Sequence, residues 1–524
     1  MKLDLIPAKP RSYRIIIPIC QIVLIWLVII AGAFGRFDSN EVDALPSAKQ
    51  FVQHSWLPND WYLNLDIGYR QPFDAFFGVI VSRMGFQYGA YLGRLLIYLL
   101  LAVAMYVSWR AFGLRFSVGL VALLLFVHNQ SLVAGEWIAG GVEAKAIAYA
   151  FAILSCSFFF GKRYLAGFAC AGAAISFHTL VGIYGMFCTM VALMFTGVWR
   201  SEWPTLTRRA WPFLMTGAWG LQTVARQLLS QGNANAMDAW RIYVGYRVPH
   251  HLLPAVWRGY YWVVGLASAT CLFSVIYSLR RSRASRFISA YALGSIFLFT
   301  VGLAVYKSGK VTLLRFYWFR FPDVMIPLLS FTVGAAILYH LIASNLLPRL
   351  VPRERWHHAL SKLRRGMPAG ITLAVALIAL GSAYRLHTEV KIPEATRTET
   401  QTMLAWIAEN TPKQSVFLVA PTIADFYIYA QRAMFVSFKH SPQSAPDILE
   451  WYRRIVMCNG ERDPKKRGFD SQEELQTNFY KLSEESIQRV ADSYGIRYYL
   501  GRPEQLLAFR HVHSTPHYTL YEIQ

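Results

Sequence analysis

The chain has 524 residues, of which 55% are hydrophobic, 15% aromatic and only 16% charged, with a formal net charge of +22. A soluble domain carries about a quarter charged residues, so charge is depleted over most of this length. The excess of Lys and Arg sits in short loops between apolar segments, where it is a topology signal, and this excludes nucleic-acid binding as the meaning of the charge.

Spans of about 20 apolar residues are the unit in which a chain crosses lipid, because hydrocarbon cannot satisfy a broken backbone. The first run, from Ile15 to Phe34, is too long for a signal-peptide core and has no small-residue cleavage site after it. It is expected to remain as a transmembrane helix. Eleven spans are predicted, at 13–34, 91–112, 117–128, 142–160, 165–178, 180–199, 210–229, 259–279, 287–306, 322–343 and 369–384. Five of the six cysteines lie inside them and only Cys458 lies in the polar tail, so there is no disulfide framework.

With eleven spans, the basic N-terminus and the loops holding Arg110 and Arg115, Lys162 and Arg163, Arg208 and Arg209, Arg280 to Arg286, and Arg349 to Arg365 share one face. The positive-inside rule makes that face cytoplasmic. The odd count carries everything after Tyr384 to the outer face. There the chain changes character, with helical spacing at 399–409 that stops at Asn410-Thr411-Pro412, a buried-strand pattern at 415–420, helices at 445–457 and 473–494, and strands at 497–500 and 518–523. Helices alternating with strands predict a small α/β domain. The expected architecture is therefore a polytopic α-helical membrane protein, with a transmembrane part at 1–386, a long first outer loop at 35–89, and an extracytoplasmic α/β domain at 387–524.

The outer loops carry the chemistry. The first is acidic, and Asp38-Ser39-Asn40-Glu41-Val42-Asp43 holds three carboxylates beside the membrane surface. Carboxylates so placed serve as a general base or bind a divalent cation. Asp60, Asp66 and Asp74 follow in the same loop. The second outer loop contains Glu136, then Gly141-Val142-Glu143-Ala144-Lys145 where a span begins. A glutamate and a lysine at membrane depth are paired or functional, and two positions apart on a helix they do not face one another. His178 closes another span on the same side. Two later outer loops are basic where the topology rule predicts depletion: Arg241, Arg247, His250, His251 and Arg258 in one, Lys307, Lys310, Arg315 and Arg320 in the other. Cations interleaved with aromatics, as in Leu314-Arg315-Phe316-Tyr317-Trp318-Phe319-Arg320, suit a phosphate headgroup on an apolar chain.

An acidic first outer loop, basic later ones and an exported C-terminal α/β domain together resemble the GT-C superfamily of membrane glycosyltransferases. More narrowly, the sequence resembles an uncharacterised bacterial family of GT-C-like membrane proteins. The likeness rests on Ser39-Asn40 through Leu45-Pro46, Pro58-Asn59-Asp60, Gly141 to Lys145, Phe177-His178 through Val181-Gly182, Trp406 to Pro412, Arg432 with Val436 and Lys439, and Glu450-Trp451-Tyr452-Arg453-Arg454. It spans nearly the whole chain through loose motifs. The resemblance implies transfer of a sugar from a polyprenyl-phosphate donor to an acceptor at the outer face of a bacterial cytoplasmic membrane, with the C-terminal domain periplasmic. The superfamily's first-loop acid falls on Asp38, with Glu41, Asp43 and Asp60 as competitors, and the second-loop acid on Glu143 or Glu136. Lys145, His178, Arg247, His250, His251, Lys310, Arg315 and Arg320 are the expected substrate contacts. Asp38 and Glu41 stand three apart, whereas the superfamily has a compact acidic pair. A divalent cation is the one cofactor the pattern admits, and no protein metal ligands are assigned. A non-catalytic subunit of polysaccharide assembly is the alternative, and a transporter, which would show internal symmetry, ranks last.

Overall fold

A computed structural model describes residues 13–35, 40–66, 68–229, 236–257, 259, 265, 270–271, 273–278, 282–343, 374, 377–388 and 398–523. Helices dominate as far as residue 343. They are α1 (Tyr13–Ala33), α2 (Glu41–Val52), α3 (Gln71–Phe112), α4 (Phe116–His128), α5 (Ala144–Phe160), α6 (Tyr164–Phe177), α7 (Thr179–Phe195), α8 (Val198–Arg208), α9 (Trp211–Leu229), α10 (Ala236–Ile242), α11 (Pro249–Leu252), α12 (Arg283–Lys307), α13 (Val311–Leu314) and α14 (Arg320–Ala343). Among the described residues four helices are long and apolar enough to cross a membrane, within α1, α3, α12 and α14, and α4 to α7 are shorter apolar helices. The predicted span at 259–279 and the start of that at 369–384 fall largely outside the described residues, and residues 377–388 are helical.

Two expectations are corrected. The stretch 35–89 is not a continuous loop, because α2 lies within it and α3 begins at Gln71, some 20 residues before the predicted span. Pro72 at the first turn starts the helix, and Asp74 and Arg83, which read as loop charges, ride on it. Gly85 interrupts α3 with φ +76°, a conformation open to glycine and strained for any side chain. The first correction matters for function: α2 lies flat against the early part of α3, with Ala48 over Gly78, so close that a methyl at Gly78 would run into the Ala48 carbonyl. The second is that 473–494 is two helices. Ser483 caps a new start by accepting from the Ser486 amide.

The C-terminal part contains α15 (Glu399–Asn410), β1 (Val416–Leu418), α16 (Phe426–Tyr429), β2 (Ala433–Met434), α17 (Ala445–Cys458), α18 (Gln472–Phe479), α19 (Glu484–Tyr494), β3 (Tyr498–Gly501), β4 (Arg510–Ser514) and β5 (Thr519–Glu522). The sheet order is β2-β1-β3-β5-β4, parallel through its first three strands and antiparallel thereafter. Thr398 and Gln401 form a reciprocal cap at the start of α15. Phe417, Leu418, Tyr499, Leu500 and Leu520 of the sheet are buried against Leu404, Ile407, Trp451, Ile455 and Ile487 of the helices. Leu57, Tyr62 and Leu63 from the segment between α2 and α3, and Tyr246, join the same core. The helical part and the sheet are therefore welded together by apolar burial as well as by polar contacts.

Candidate active site

The site forms where α2, the loop at 129–143, the turns around 247–251 and the segment after β2 meet. Its base is an ion pair between Glu41, in the first turn of α2, and Arg94, in the middle of α3. Both side chains are fully buried. The Arg94 guanidinium holds both Glu41 oxygens, with Nε at 2.8 Å from Oε1, and also donates to the Gly35 carbonyl. The Val142 amide donates to Glu41 Oε1 at 2.8 Å, which ties the second loop to the first.

The second loop is organised from α14. Asp323 accepts hydrogen bonds from the Val133, Ala134 and Glu136 amides and from the Ser131 hydroxyl, at 2.5 to 3.0 Å. Gln130 bonds the Ile138 and Ala139 amides at 3.0 and 2.9 Å. So wrapped, the loop presents Glu136 to two cations, Arg320 Nε at 2.6 Å and Lys145 Nζ at 2.9 Å. Burial would push the Glu136 carboxyl up, but Arg320, Lys145 and His251 hold it well below the usual carboxylate range. Arg320 donates onward to His178 Nε2 at 3.2 Å, and its guanidinium lies 4.0 Å from the Tyr317 ring. Lys145 also meets Glu143, at 3.1 Å. The two residues that do not face each other by helical spacing meet because Glu143 is the extended residue preceding α5, outside the helix. Glu143 in turn accepts from Asn40 Nδ2 at 2.7 Å, and Lys439, from beyond β2, donates to Asn40 Oδ1. A single chain of contacts thus runs Lys439–Asn40–Glu143–Lys145–Glu136–Arg320–His178.

A second group flanks it. Arg70 bridges Asp43 at 3.4 Å and Asp74 at 3.3 Å, and the Tyr62 hydroxyl donates to Asp43 at 2.6 Å. Against the upward push of burial, Arg70, His440 and the Tyr62 hydrogen bond lower the Asp43 carboxyl. Arg247, at the end of a π-helical turn (Tyr243–Arg247), is 5% exposed and donates to the Lys439 carbonyl at 2.8 Å. Its guanidinium stacks on Phe438 at 4.8 Å, and its Nε is buried without a hydrogen-bond partner. No ion pair joins it to a carboxylate among the described residues. His250 and His251 stack at 4.0 Å, each with a buried, unpartnered Nδ1. Burial, with Arg247 and Lys439 beside it, drops His250 to about 4, and burial takes His251 well below its ordinary value.

Of the residues expected from sequence, Glu41, Asp43, Glu136, Glu143, Lys145, His178, Arg247, His250, His251 and Arg320 are gathered here. Asp38 lies outside the described residues. Asp60 is elsewhere: its carboxylate accepts from the Leu63 and Met434 amides at 2.8 and 3.0 Å and from the Tyr427 hydroxyl at 3.0 Å, locking the first loop to the C-terminal sheet. Both its oxygens are engaged within the fold. Lys310 is exposed, and Arg315 lies on the Trp240 ring at 4.5 Å, outside the chain of contacts. Glu41 is sealed from any substrate by Arg94. Sequence reasoning passed over Arg94, Asp323 and Arg70, and it named Lys439 only among the residues that carry the family resemblance. Arg94 and Asp323 had a legible signal, since an ionisable residue within a predicted span is a functional or pairing candidate by default. Nothing local tied Lys439 to the site, since it lies in a polar tail 399 positions from its partner Asn40.

Among the described residues no group of three or more His, Cys, Asp or Glu side chains gathers as a metal cage. Glu41, Asp43, Asp74, Glu136 and Glu143 each face an Arg or Lys within ion-pair distance. Among the described residues these carboxylates are therefore turned to side-chain cations and not toward one common point.

Residues 398–458 match a family described only as a domain of unknown function (DUF6798). No curated protein matches the sequence. Among solved structures, the chain is similar to the oligosaccharyltransferase AglB from the archaeon Archaeoglobus fulgidus in complex with an inhibitory peptide and a dolichol-phosphate. That match has 9% identity, covers 94% of this chain and 70% of that one, and has a TM-score of 0.47. The apo form of the A. fulgidus oligosaccharyltransferase matches at 10% identity over the same shares with a TM-score of 0.49. Its complex with Zn and sulfate matches at 9% over 92% and 68%, with a TM-score of 0.44.

Proposed function

We propose that this protein is a GT-C-type glycosyltransferase that moves a sugar from a polyprenyl-phosphate donor to an acceptor at the outer face of a bacterial cytoplasmic membrane, with the C-terminal domain on that face. The observation that carries the reading is the convergence of carboxylates and fixed cations from four distant segments into one network, with Arg247 buried beside it and in no ion pair among the described residues. A buried cation stacked on an aromatic ring, with an unused N–H, suits an anionic oxygen brought in by substrate. The sequence resemblance names the same chemistry.

In this reading the acceptor hydroxyl oxygen forms a bond to the anomeric carbon, and the bond from that carbon to the phosphate oxygen breaks. The electron pair leaves with the phosphate and the acceptor proton passes to a carboxylate. Asp38, two positions before Asn40, is the proposed base. Glu143, 13% exposed, is hydrogen-bonded to Asn40, which puts it next in line. Glu41, Asp43 and Glu136 act as anchors for Arg94, Arg70 and Arg320. Arg247 and Arg320 stabilise the charge that develops on the departing phosphate.

The test is turnover of a polyprenyl-phosphate-linked sugar by Asp38→Asn, Glu143→Gln and Arg247→Ala variants. Loss of the base or of the phosphate contact is expected to slow the reaction about 10²-fold or more. Wild-type turnover in all three would remove the mechanism. The ion-pairing of Glu41, Asp43 and Glu136 favours one second reading, a scaffold that binds lipid-linked sugar without transferring it. Donor binding by the wild-type protein with no product formed from any acceptor would select that reading.

A further inference from the structure

The short segment after β2, Ser437-Phe438-Lys439-His440, belongs to the C-terminal domain but lies inside the site. Hydrogen bonds and ring packing hold it there. Trp451 Nε1 donates to the Ser437 carbonyl at 2.9 Å, and the Lys439 amide donates to Ser437 Oγ at 3.2 Å. His440 Nε2 meets the Val42 carbonyl of α2 at 2.9 Å, and the His440 ring packs on Tyr62 and Tyr427 with centroids 5.4 and 4.9 Å apart. The segment is therefore clamped between the first loop and the sheet, and its side chains are presented with little freedom.

Two cations reach one place through this segment. Lys439 Nζ bonds Asn40, the residue that orients Glu143, while the Lys439 carbonyl accepts from Arg247. Phe469, from the turn before α18, lies under both, 5.8 Å from the Arg247 guanidinium and 5.9 Å from Lys439 Nζ. Arg247 Nε and His250 Nδ1 are buried without hydrogen-bond partners around the same segment. Buried nitrogens in that condition are costly unless a ligand meets them. Two fixed cations with an aromatic floor and the unused Arg247 N–H match a tetrahedral oxyanion carried on an apolar tail.

We propose that Lys439, delivered by the C-terminal domain, binds the phosphate of a lipid-linked phosphate together with Arg247, so that the C-terminal domain is part of the binding site and not only its cover. This deepens the reading given above and rests on it.

The experiment uses the full-length protein in detergent micelles with farnesyl phosphate as probe, and farnesol and inorganic phosphate as controls. Wild type is expected to bind farnesyl phosphate far better than either control. Lys439→Ala is expected to weaken that binding about tenfold or more, the worth of one charge-assisted hydrogen bond. Lys439→Arg, which keeps the charge, should recover most of the affinity, and farnesol binding should not change. If Lys439→Ala, folded with an unchanged melting temperature, binds farnesyl phosphate as tightly as wild type, the role of Lys439 is overturned while the phosphate site stands. Should Lys439→Ala fail to fold, Lys439→Gln and Lys439→Arg make the comparison, and equal affinity in that pair overturns the proposal. Inorganic phosphate binding as tightly as farnesyl phosphate would overturn the lipid part of it. No binding of farnesyl phosphate by wild type would overturn both this proposal and the function from which it starts.

Discussion

Asn40 and Glu143, 103 positions apart in the chain, meet side chain to side chain at 2.7 Å. The bond joins the residue just ahead of α2 to the residue just ahead of α5, and so brings the acidic first loop against the second. Asn40 also accepts from Lys439, which makes one amide the junction of both helical loops and the C-terminal domain. A neutral side chain suits that post: its carbonyl faces a cation and its NH₂ faces a carboxylate, so neither charge meets its like.

The buried Glu41–Arg94 pair tests how the floor of the site is held. Arg94→Met removes the guanidinium and leaves the Glu41 carboxylate buried, which is expected to reduce stability by about 3–5 kcal/mol. Glu41→Gln combined with Arg94→Met removes both charges and should recover a large part of that loss. Unfolding of the purified variants in detergent measures the coupling, and equal losses for single and double variants would contradict it.

Asp323 positions Glu136 without touching anything outside the protein. Asp323→Asn turns an NH₂ group toward two of the four donors that the carboxylate accepts, so stability should fall by about 2 kcal/mol. Amide hydrogen exchange should speed up at 131–136 in particular. Unchanged protection of those amides would show that the loop is held by other means.

The Asp60 contact makes docking of the C-terminal sheet sensitive to pH. Burial raises its carboxyl from 3.8 to about 6, against the hydrogen bonds from Leu63, Met434 and Tyr427. With the folded value above the unfolded one, the native state binds more protons between the two. The contribution of this group is therefore full below about pH 4 and is lost as pH rises through about 6, a swing of about 2–3 kcal/mol. The difference in stability between wild type and Asp60→Asn, followed from pH 4 to 7, should carry that slope. A flat difference would mean that Asp60 titrates normally.

At Gly78 the prediction is steric. Gly78→Ala places a methyl against the Ala48 carbonyl, and α2 must move away from α3 to admit it. A loss of about 1–3 kcal/mol is expected, and because Glu41 and Asp43 ride on α2, substrate binding should weaken along with stability. Wild-type melting temperature in this variant would show that the two helices are not in register-defining contact.

How far the site was legible depended on how local each signal was. Glu136, Glu143, Arg247 and Arg320 stood out because charge near an apolar span is conspicuous in one dimension. Asp60 stood out as an acid of the first outer loop and proved to tie that segment to the C-terminal sheet, since charge alone does not tell whether a buried carboxylate faces a ligand or three donors of its own fold. The start of α3 was hidden by Asp74 and Arg83, which read as loop residues and are carried on a helix packed against α2.

Sequence alone determined that the chain is mostly apolar helix with a polar α/β tail, and that ionisable residues concentrate in a few connecting segments. Run length, charge depletion and strand alternation are local properties, read without knowing what packs on what. Only the tertiary structure decided the pairings: Glu41 with Arg94, Glu136 with Arg320, Asn40 with Glu143 and Lys439. Those partners lie 53, 184, 103 and 399 positions apart, and a buried charge is satisfied by whatever stands nearest in space, which no local pattern records.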